Sequence, residues 1–460
     1  MRKAYVVFLS AGLLLMVLPC ALMPFLPSAF GAENRLPAPW PALTDEDGLN
    51  LDFPAQYEAW LQDHVALRDV WISAYSRALR ALGTSSEEQV ILGKDGWLFF
   101  RETLDDYTGL NALSDGDVAR LALTLDTVDA ALRASGSRLI VAVVPNKASV
   151  YPEKMCAAYP RSDTPGNAER LSMALSAAQV PLFDLLRRHA AEGLYFREDT
   201  HWNALGARYA ASAILSALEE ETGIELPLRD LQASYSLRED WRGDLRKMLD
   251  PYTDEREEQQ YFADQIPFSY QGRVRSPEDL TIRTTSGASS LRLLVLRDSF
   301  SNQLIGELSG AAGEVTYLRA MPLPLDAAEG TDAVLLEIAE RRLPELLQTP
   351  PDMLARPADA PPDLIDARPV GIRVEAEVGR DCVRLFGALE EAPEGLREVL
   401  LGVQDEEGER WYAAFPISGV EGDGCRGFSA KLEAISGDAQ ICVYMLGSAS
   451  VRSEWCALHF

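Results

Sequence analysis

The stretch LRLLVLRDSFSNQL, residues 291–304, decides how this chain is read. It opens on an apolar run interrupted by one arginine, passes through Arg297, Asp298 and Ser299, and ends in residues suited to a helix start. A short apolar run without alternation is what a strand covered on both faces requires, and such strands belong to parallel sheets flanked by helices. A strand that hands over directly to a helix sets Ser299 at the strand's carboxyl end, where open α/β sheets bind ligands.

The same grammar extends in both directions. A helical pattern over 114–135 leads to the buried strand RLIVAVVP at 138–145. A second, near 166–178, leads to VPLFDL, expected as a strand at 180–185. DTHW precedes a helix over 203–221, and AVLLEI at 333–338 is the last buried strand of the series. Alternating strands and helices of this kind specify an α/β domain with a mostly parallel sheet. Residues 225–290 are polar and irregular, and read as long loops over one sheet edge. Upstream, residues 54–82 carry apolar positions at helical spacing, and QVILGKDGWLFF reads as a hairpin around Lys94-Asp95-Gly96.

Six prolines between Pro350 and Pro369 mark a linker. Beyond it come short alternating runs, GIRVEAEV, CVRLFGAL, EVLLGVQ, WYAAFPI, GFSAKLEA and ICVYML, separated by turn residues; they predict a β-sandwich of about seven strands, Ig-like or carbohydrate-binding-like. The expected organisation is a signal anchor or signal peptide at 1–32, a connector and amphipathic helix at 33–88, the α/β domain at 89–345, the linker at 346–369 and the sandwich at 370–460.

At the N-terminus Arg2 and Lys3 precede an uncharged run from Ala4 to Ala32 that is long enough to span a bilayer. Small residues around Ala29 and Gly31 offer a cleavage site, so the run reads as an anchor (residues 4–30) or a cleaved signal. Either reading places the chain outside the cytoplasm, secreted if cleaved. A net charge of −27 over 460 residues excludes a nucleic-acid partner. Four of the six cysteines, Cys382, Cys425, Cys442 and Cys456, fall near the C-terminus and suggest disulfides in an exported chain, with three pairings open. No CxxC pair occurs, and neither a metal nor an organic cofactor is called for.

A serine hydroxyl needs a base, usually a histidine oriented by a carboxylate. Only four histidines exist, and His201 stands two residues after Asp199 and 98 before Ser299. Asp199 and His201 can serve Ser299 from one turn; the alternative is that Asp199, Asn203 or Asp298 merely caps a helix. Asn146 and Lys147 follow a strand at the same sheet edge and are candidates for substrate contact, as is Trp202 for stacking on a sugar ring. Surface or core roles fit those three equally well. Arg341 reads as the partner of an acid.

With these residues in place the chain resembles the alginate O-acetyltransferase family, the AlgX/AlgJ-like proteins with an SGNH hydrolase-like domain. The matching stretches are ENRLPAPWP, FPAQYEAWLQDHVALRD (with Trp60, Asp63, His64 and Arg68), VILGKDGWLFF, VVPNKASVYPE, DTHWNALGARYAA, WRGDL, VLRDSFS and LLEIAERRL, in that order across about residues 33–345. The resemblance implies Ser299 as nucleophile, with Asp199 and His201 completing a triad. It also implies acetyl transfer to an exopolysaccharide, the acetyl group arriving from a membrane-bound acyltransferase partner. One departure stands out: Arg297 occupies a position that is usually glycine in such motifs. Two other readings use the same residues, a carbohydrate esterase with this triad and a non-catalytic glycan-binding or assembly protein of the cell surface.

Overall fold

The computed structural model describes residues 2–26, 36–45, 48–417, 427–433, 435 and 439–458. The expected cleavage site at Ala29 and Gly31, and Cys425, lie outside them.

The central sheet contains β1 (Leu139–Val144), β2 (Ala178–Gln179), β3 (Ser269–Tyr270), β4 (Thr281–Thr285), β5 (Arg292–Leu296), β6 (Glu314–Leu318) and β7 (Ala333–Ala339), in the order β2-β1-β7-β5-β6-β4-β3. The five strands from β2 to β6 run parallel, while β4 and β3 add an antiparallel edge. Successive residues alternate between two cores. Ile140, Ala142, Leu293, Val295 and Leu335 face one side with helix Ala204–Thr222. Leu139, Val141, Leu294, Leu296 and Leu336 face the other with helix Asp115–Ala134. Both faces being dry explains the unbroken apolar runs.

Three expectations change here. Residues 180–185 are not a strand: pairing ends at Gln179, and Leu182–Arg188 form a helix. Leu182 and Leu186 are buried one turn apart, Asp184 lies in the first turn and Arg187 and Arg188 in the last, an arrangement that suits the helix dipole. Nor is 225–290 a stretch of loops. It supplies β3, β4, the hairpin Tyr235–Trp241 with Glu257–Phe262, and the short helix Asp244–Leu249. The helical stretch 54–82 is split into Phe53–His64 and Arg68–Ala81 by Leu67, whose φ is +58°.

Toward the C-terminus a seven-stranded and a four-stranded sheet face each other across a common core of Leu385, Leu401, Phe428, Ile441 and Val443. The proline-rich stretch is not a free linker, because Pro357–Ala358 and Arg368–Val370 both pair into the larger sheet. Phe415 reaches into the core beneath helix Asp115–Ala134, so sandwich and α/β layers are packed together. Cys382, Cys442 and Cys456 are free thiols. No disulfide forms among these three, and for Cys442 and Cys456 the reason is geometric. Cys456 stands opposite Ile441 in register, so its side chain and that of Cys442 fall on opposite faces.

Helix Arg2–Leu22 has the length and apolar composition to cross a membrane. Most of its described side chains are exposed.

Candidate active site

Ser299 occupies the turn just beyond β5, in an ordinary helical backbone conformation. The turn is held from behind by acids. Asp298 accepts from the Phe300 N–H (2.9 Å) and from the Ala339 N–H (2.8 Å), which clamps the serine turn to the end of β7. Glu337, fully buried on β7, accepts from Asp298 N–H (3.1 Å) and from the Ser301 hydroxyl (2.6 Å). Burial and the neighbouring Asp298 charge push its carboxyl well above the usual range.

The base comes from a second turn. Residues 194–203 fold back on themselves through Asn203 N–H to Leu194 carbonyl (2.9 Å) and the Tyr195–Trp202 bridge. Asn203 then caps helix Ala204–Thr222 by accepting from the Leu205 and Gly206 N–H groups. Capping and catalysis are therefore not alternatives: Asn203 caps, and Asp199 is left for His201. Gly206 permits the fold-back, since a Cβ there would stand 2.2 Å from the Leu194 carbonyl. Trp202 ties the two turns together by donating from Nε1 to the Phe300 carbonyl (3.0 Å).

The result is a continuous chain of contacts. His201 Nε2 lies 2.8 Å from Ser299 Oγ, and His201 Nδ1 lies 2.7 Å from Asp199 Oδ1. Asp199 Oδ1 also accepts from the His201 N–H (2.9 Å), while Oδ2 accepts from Trp241 Nε1 (3.0 Å) and the Asp244 N–H (3.0 Å). Burial works to raise the Asp199 pKa, but the hydrogen bonds and charge of His201 with these backbone donors hold it down at about 2. For His201, burial disfavours the imidazolium; the Asp199 bond and charge, aided by Asp244, prevail and raise its pKa above the ordinary value. An ionised Asp199 fixes the proton on Nδ1, so Nε2 faces the serine as an acceptor.

Trp241 and Asp244 were not assigned roles from sequence. They belong to WRGDL, in the stretch expected to be loops. Gly243 lets this segment press against the base turn, because a Cβ would meet the Glu198 carbonyl at 2.3 Å. Arg246 secures it by donating from its N–H to the same carbonyl (3.1 Å) and from Nε to the Glu198 carboxylate (2.7 Å).

Three sequence candidates for substrate contact have other occupations. Trp202 is completely buried and cannot stack on a sugar. Lys147 is buried behind the base turn, donating to the carbonyls of Phe196 (3.2 Å), Arg197 (3.0 Å) and Asp199 (2.6 Å); burial lowers its pKa to about 8. Asn146 is buried too, its amide donating to Asp106 (2.8 Å). Both sit under the site rather than in it. Arg297, the departure from glycine, lines the same cleft as Ser299 but is held by other groups. Its guanidinium donates to the carbonyls of Pro277 (2.7 Å) and Asp279 (2.8 Å) and to Asn302 Oδ1 (2.7 Å). Arg341 has no acid partner within bonding distance among the described residues.

Asp199, His201 and Asp244 are close enough to ligate one cation. Their donor atoms, however, are engaged: each Asp199 oxygen accepts two N–H groups, and Asp244 Oδ1 accepts from Thr200 and Leu245 N–H. This donor set fits an oriented imidazole better than a metal.

Residues 90–287 match the model of the SGNH hydrolase-like domain of acetyltransferase AlgX. Over this stretch the chain is similar to the AlgX/AlgJ-like proteins. It is similar to the probable alginate O-acetylase AlgJ of Pseudomonas aeruginosa, 26% identical over 256 residues, covering 54% of this chain and 60% of that protein. It is 31% identical over 137 residues to the protein of the same name in Pseudomonas putida, covering 29% of this chain and 34% of that one. The chain thus spans three-fifths or less of the length of these relatives. Among solved structures, the O-acetyltransferase domain of Pseudomonas putida AlgJ is 21% identical with a TM-score of 0.36, covering 55% of this chain and 92% of that one. Pseudomonas aeruginosa AlgX is 14% identical with a TM-score of 0.31, covering 78% and 94%.

Proposed function

We propose that the chain is an extracytoplasmic O-acetyltransferase that moves an acetyl group to hydroxyls of an exopolysaccharide through an acyl-serine intermediate. The observation that carries this reading is the hydrogen-bonded line Asp199–His201–Ser299 at the carboxyl ends of a parallel sheet. In the first half-reaction His201 Nε2 takes the Ser299 proton as Oγ attacks the acetyl carbonyl. Asp199 stabilises the imidazolium that forms. The imidazolium then protonates the leaving group and acetyl-Ser299 remains. In the second, an acceptor hydroxyl attacks that ester while Nε2 takes its proton, and Ser299 Oγ leaves with the proton returned.

Similarity to the AlgX/AlgJ-like proteins supports acetyl transfer and a polysaccharide acceptor. The apolar N-terminal helix supports attachment to a membrane, where a membrane-bound acyltransferase would deliver the acetyl group. The triad serves a carbohydrate esterase equally, with water as acceptor. A chromogenic acetyl ester separates these readings. Native protein should gain one acetyl mass on the Ser299 peptide, and added glycan should accept it; Ser299→Ala should do neither. Acetate release that no glycan diverts favours the esterase. Native turnover equal to that of Ser299→Ala refutes both.

A further inference from the structure

An acyl-serine mechanism needs donors for the oxygen that becomes negative, and several N–H groups of the serine turn are already engaged. The Phe300 N–H already donates to Asp298, the Asp298 N–H to Glu337, and the Asn302 N–H to the Ser299 carbonyl. The glycine that would open the turn is Arg297, whose guanidinium is tied to Pro277 and Asp279.

Arg341 stands on the other side of the serine. It follows directly after β7, the neighbour of β5, and lines the same cleft of about 420 Å³ as Ser299. Its guanidinium carbon is 5.7 Å from the ring centres of both Phe100 and Phe300, so two apolar rings flank the charge. Nη1 is buried and finds no acceptor among the described residues. The adjacent acids are engaged elsewhere. Glu340 accepts from Asn146 N–H (2.9 Å) and the Ser149 hydroxyl (2.6 Å), Glu345 pairs with Arg342, and Asp106 accepts from Asn111 and Asn146. Arg341 is half-buried as a whole, but a buried guanidinium N–H without an acceptor is costly unless something binds it.

We infer that Arg341 is the electrophile of the site, its guanidinium donating to the acetyl carbonyl oxygen and stabilising the tetrahedral oxyanion formed on attack by Ser299. The inference rests on the acyl-serine reading above. A fixed cation between apolar rings is effective in this role because it needs no reorganisation as charge develops. The positive charge of Arg341 is also felt by His201, whose pKa it works to lower.

The test compares native protein with Arg341→Met, which keeps the unbranched stem between the two rings and removes the charge. Turnover and acetyl-enzyme formation are read with a neutral chromogenic acetyl ester. The expected result is a loss of about a hundredfold to a thousandfold in kcat. KM should change little, added guanidinium ion should restore part of the rate, and the acid limb of the pH profile should move upward. Arg341→Gln replaces the methionine variant should that one fail to fold. If the folded variant stays within about threefold of native while Ser299→Ala is inactive, Arg341 is not the electrophile and the triad reading stands. If native protein and Ser299→Ala are equally inactive, the triad reading fails and the inference falls with it.

Discussion

Replacing Asp199 by asparagine is the sharpest perturbation of this site, because the carboxylate accepts four N–H donors: His201 Nδ1 and N, Trp241 Nε1 and Asp244 N. An asparagine keeps one acceptor oxygen. With that oxygen toward His201, the NH2 group faces Trp241 and Asp244 and strands two buried donors, at about 1–3 kcal/mol each. With the oxygen turned toward Trp241 and Asp244, only the His201 backbone N–H is stranded, and the imidazole adapts by moving its proton from Nδ1 to Nε2. The second arrangement is cheaper by about one hydrogen bond, so it wins. It is also the inactive one, since a protonated Nε2 cannot accept from Ser299 Oγ. The expected loss in kcat is about ten-thousandfold, or about 5 kcal/mol of barrier, with only about 1–3 kcal/mol of folding stability lost. The rate is read with a chromogenic acetyl ester and the tautomer by nitrogen NMR of the imidazole. An Asp199→Asn protein within tenfold of native activity, or one keeping its proton on Nδ1, would refute the argument.

Three further outcomes follow from the same geometry. Trp241→Phe keeps the stack on Phe196 (4.6 Å, 2° between planes) but deletes one bond to a charged oxygen, worth about 1.5–3 kcal/mol. Its kcat should fall about tenfold to a hundredfold, and an unchanged kcat would mean that the Asp244 N–H suffices alone. His201 must be neutral to take the serine proton, and its pKa is raised above the ordinary imidazole value of about 6.5. Activity is therefore full above that raised value and lost as pH falls through it; an acid limb of kcat/KM centred below pH 6.5 would contradict the assignment. Arg297→Gly restores the usual residue but removes the bonds to Pro277, Asp279 and Asn302. It should cost about 2–4 kcal/mol of stability by denaturant unfolding without raising turnover per folded molecule, and a severalfold gain would show that the arginine obstructs the site.

The sequence already placed the serine turn and the DTHW turn, because each sits where an unambiguous apolar strand or amphipathic helix meets a break in pattern. Side-chain destinations were less legible. Lys147 after a strand reads as a surface residue, and nothing local tells that three carbonyls of the base turn wait for it. Trp202 beside a histidine invites a ligand role, yet its bond partner is a backbone oxygen 98 residues away. The polar hairpin at 235–262 is largely exposed along its first strand, so it lacks the apolar alternation that marks strands; Trp241 and Asp244 were lost with it. Gly243, flanked by arginine and aspartate, was the one available signal that a backbone must approach closely there. The VPLFDL helix was mistaken because six residues cannot separate a strand from two turns of helix.

The position of β7 in the sheet governs when the site can exist at all. It is the last of the seven strands to be made, yet it lies between β1 and β5, and its end supplies the Ala339 N–H that holds the serine turn. A chain emerging from a ribosome displays Asp199, His201 and Ser299 before that strand arrives. Until it docks, β5 has no neighbour on the side facing β1, and Asp298 lacks the Ala339 N–H that clamps the serine turn. Competence is thus acquired in one late step, of the non-local kind that sets slow folding rates. An incompletely made chain would lack the clamp on the Asp199–His201–Ser299 line.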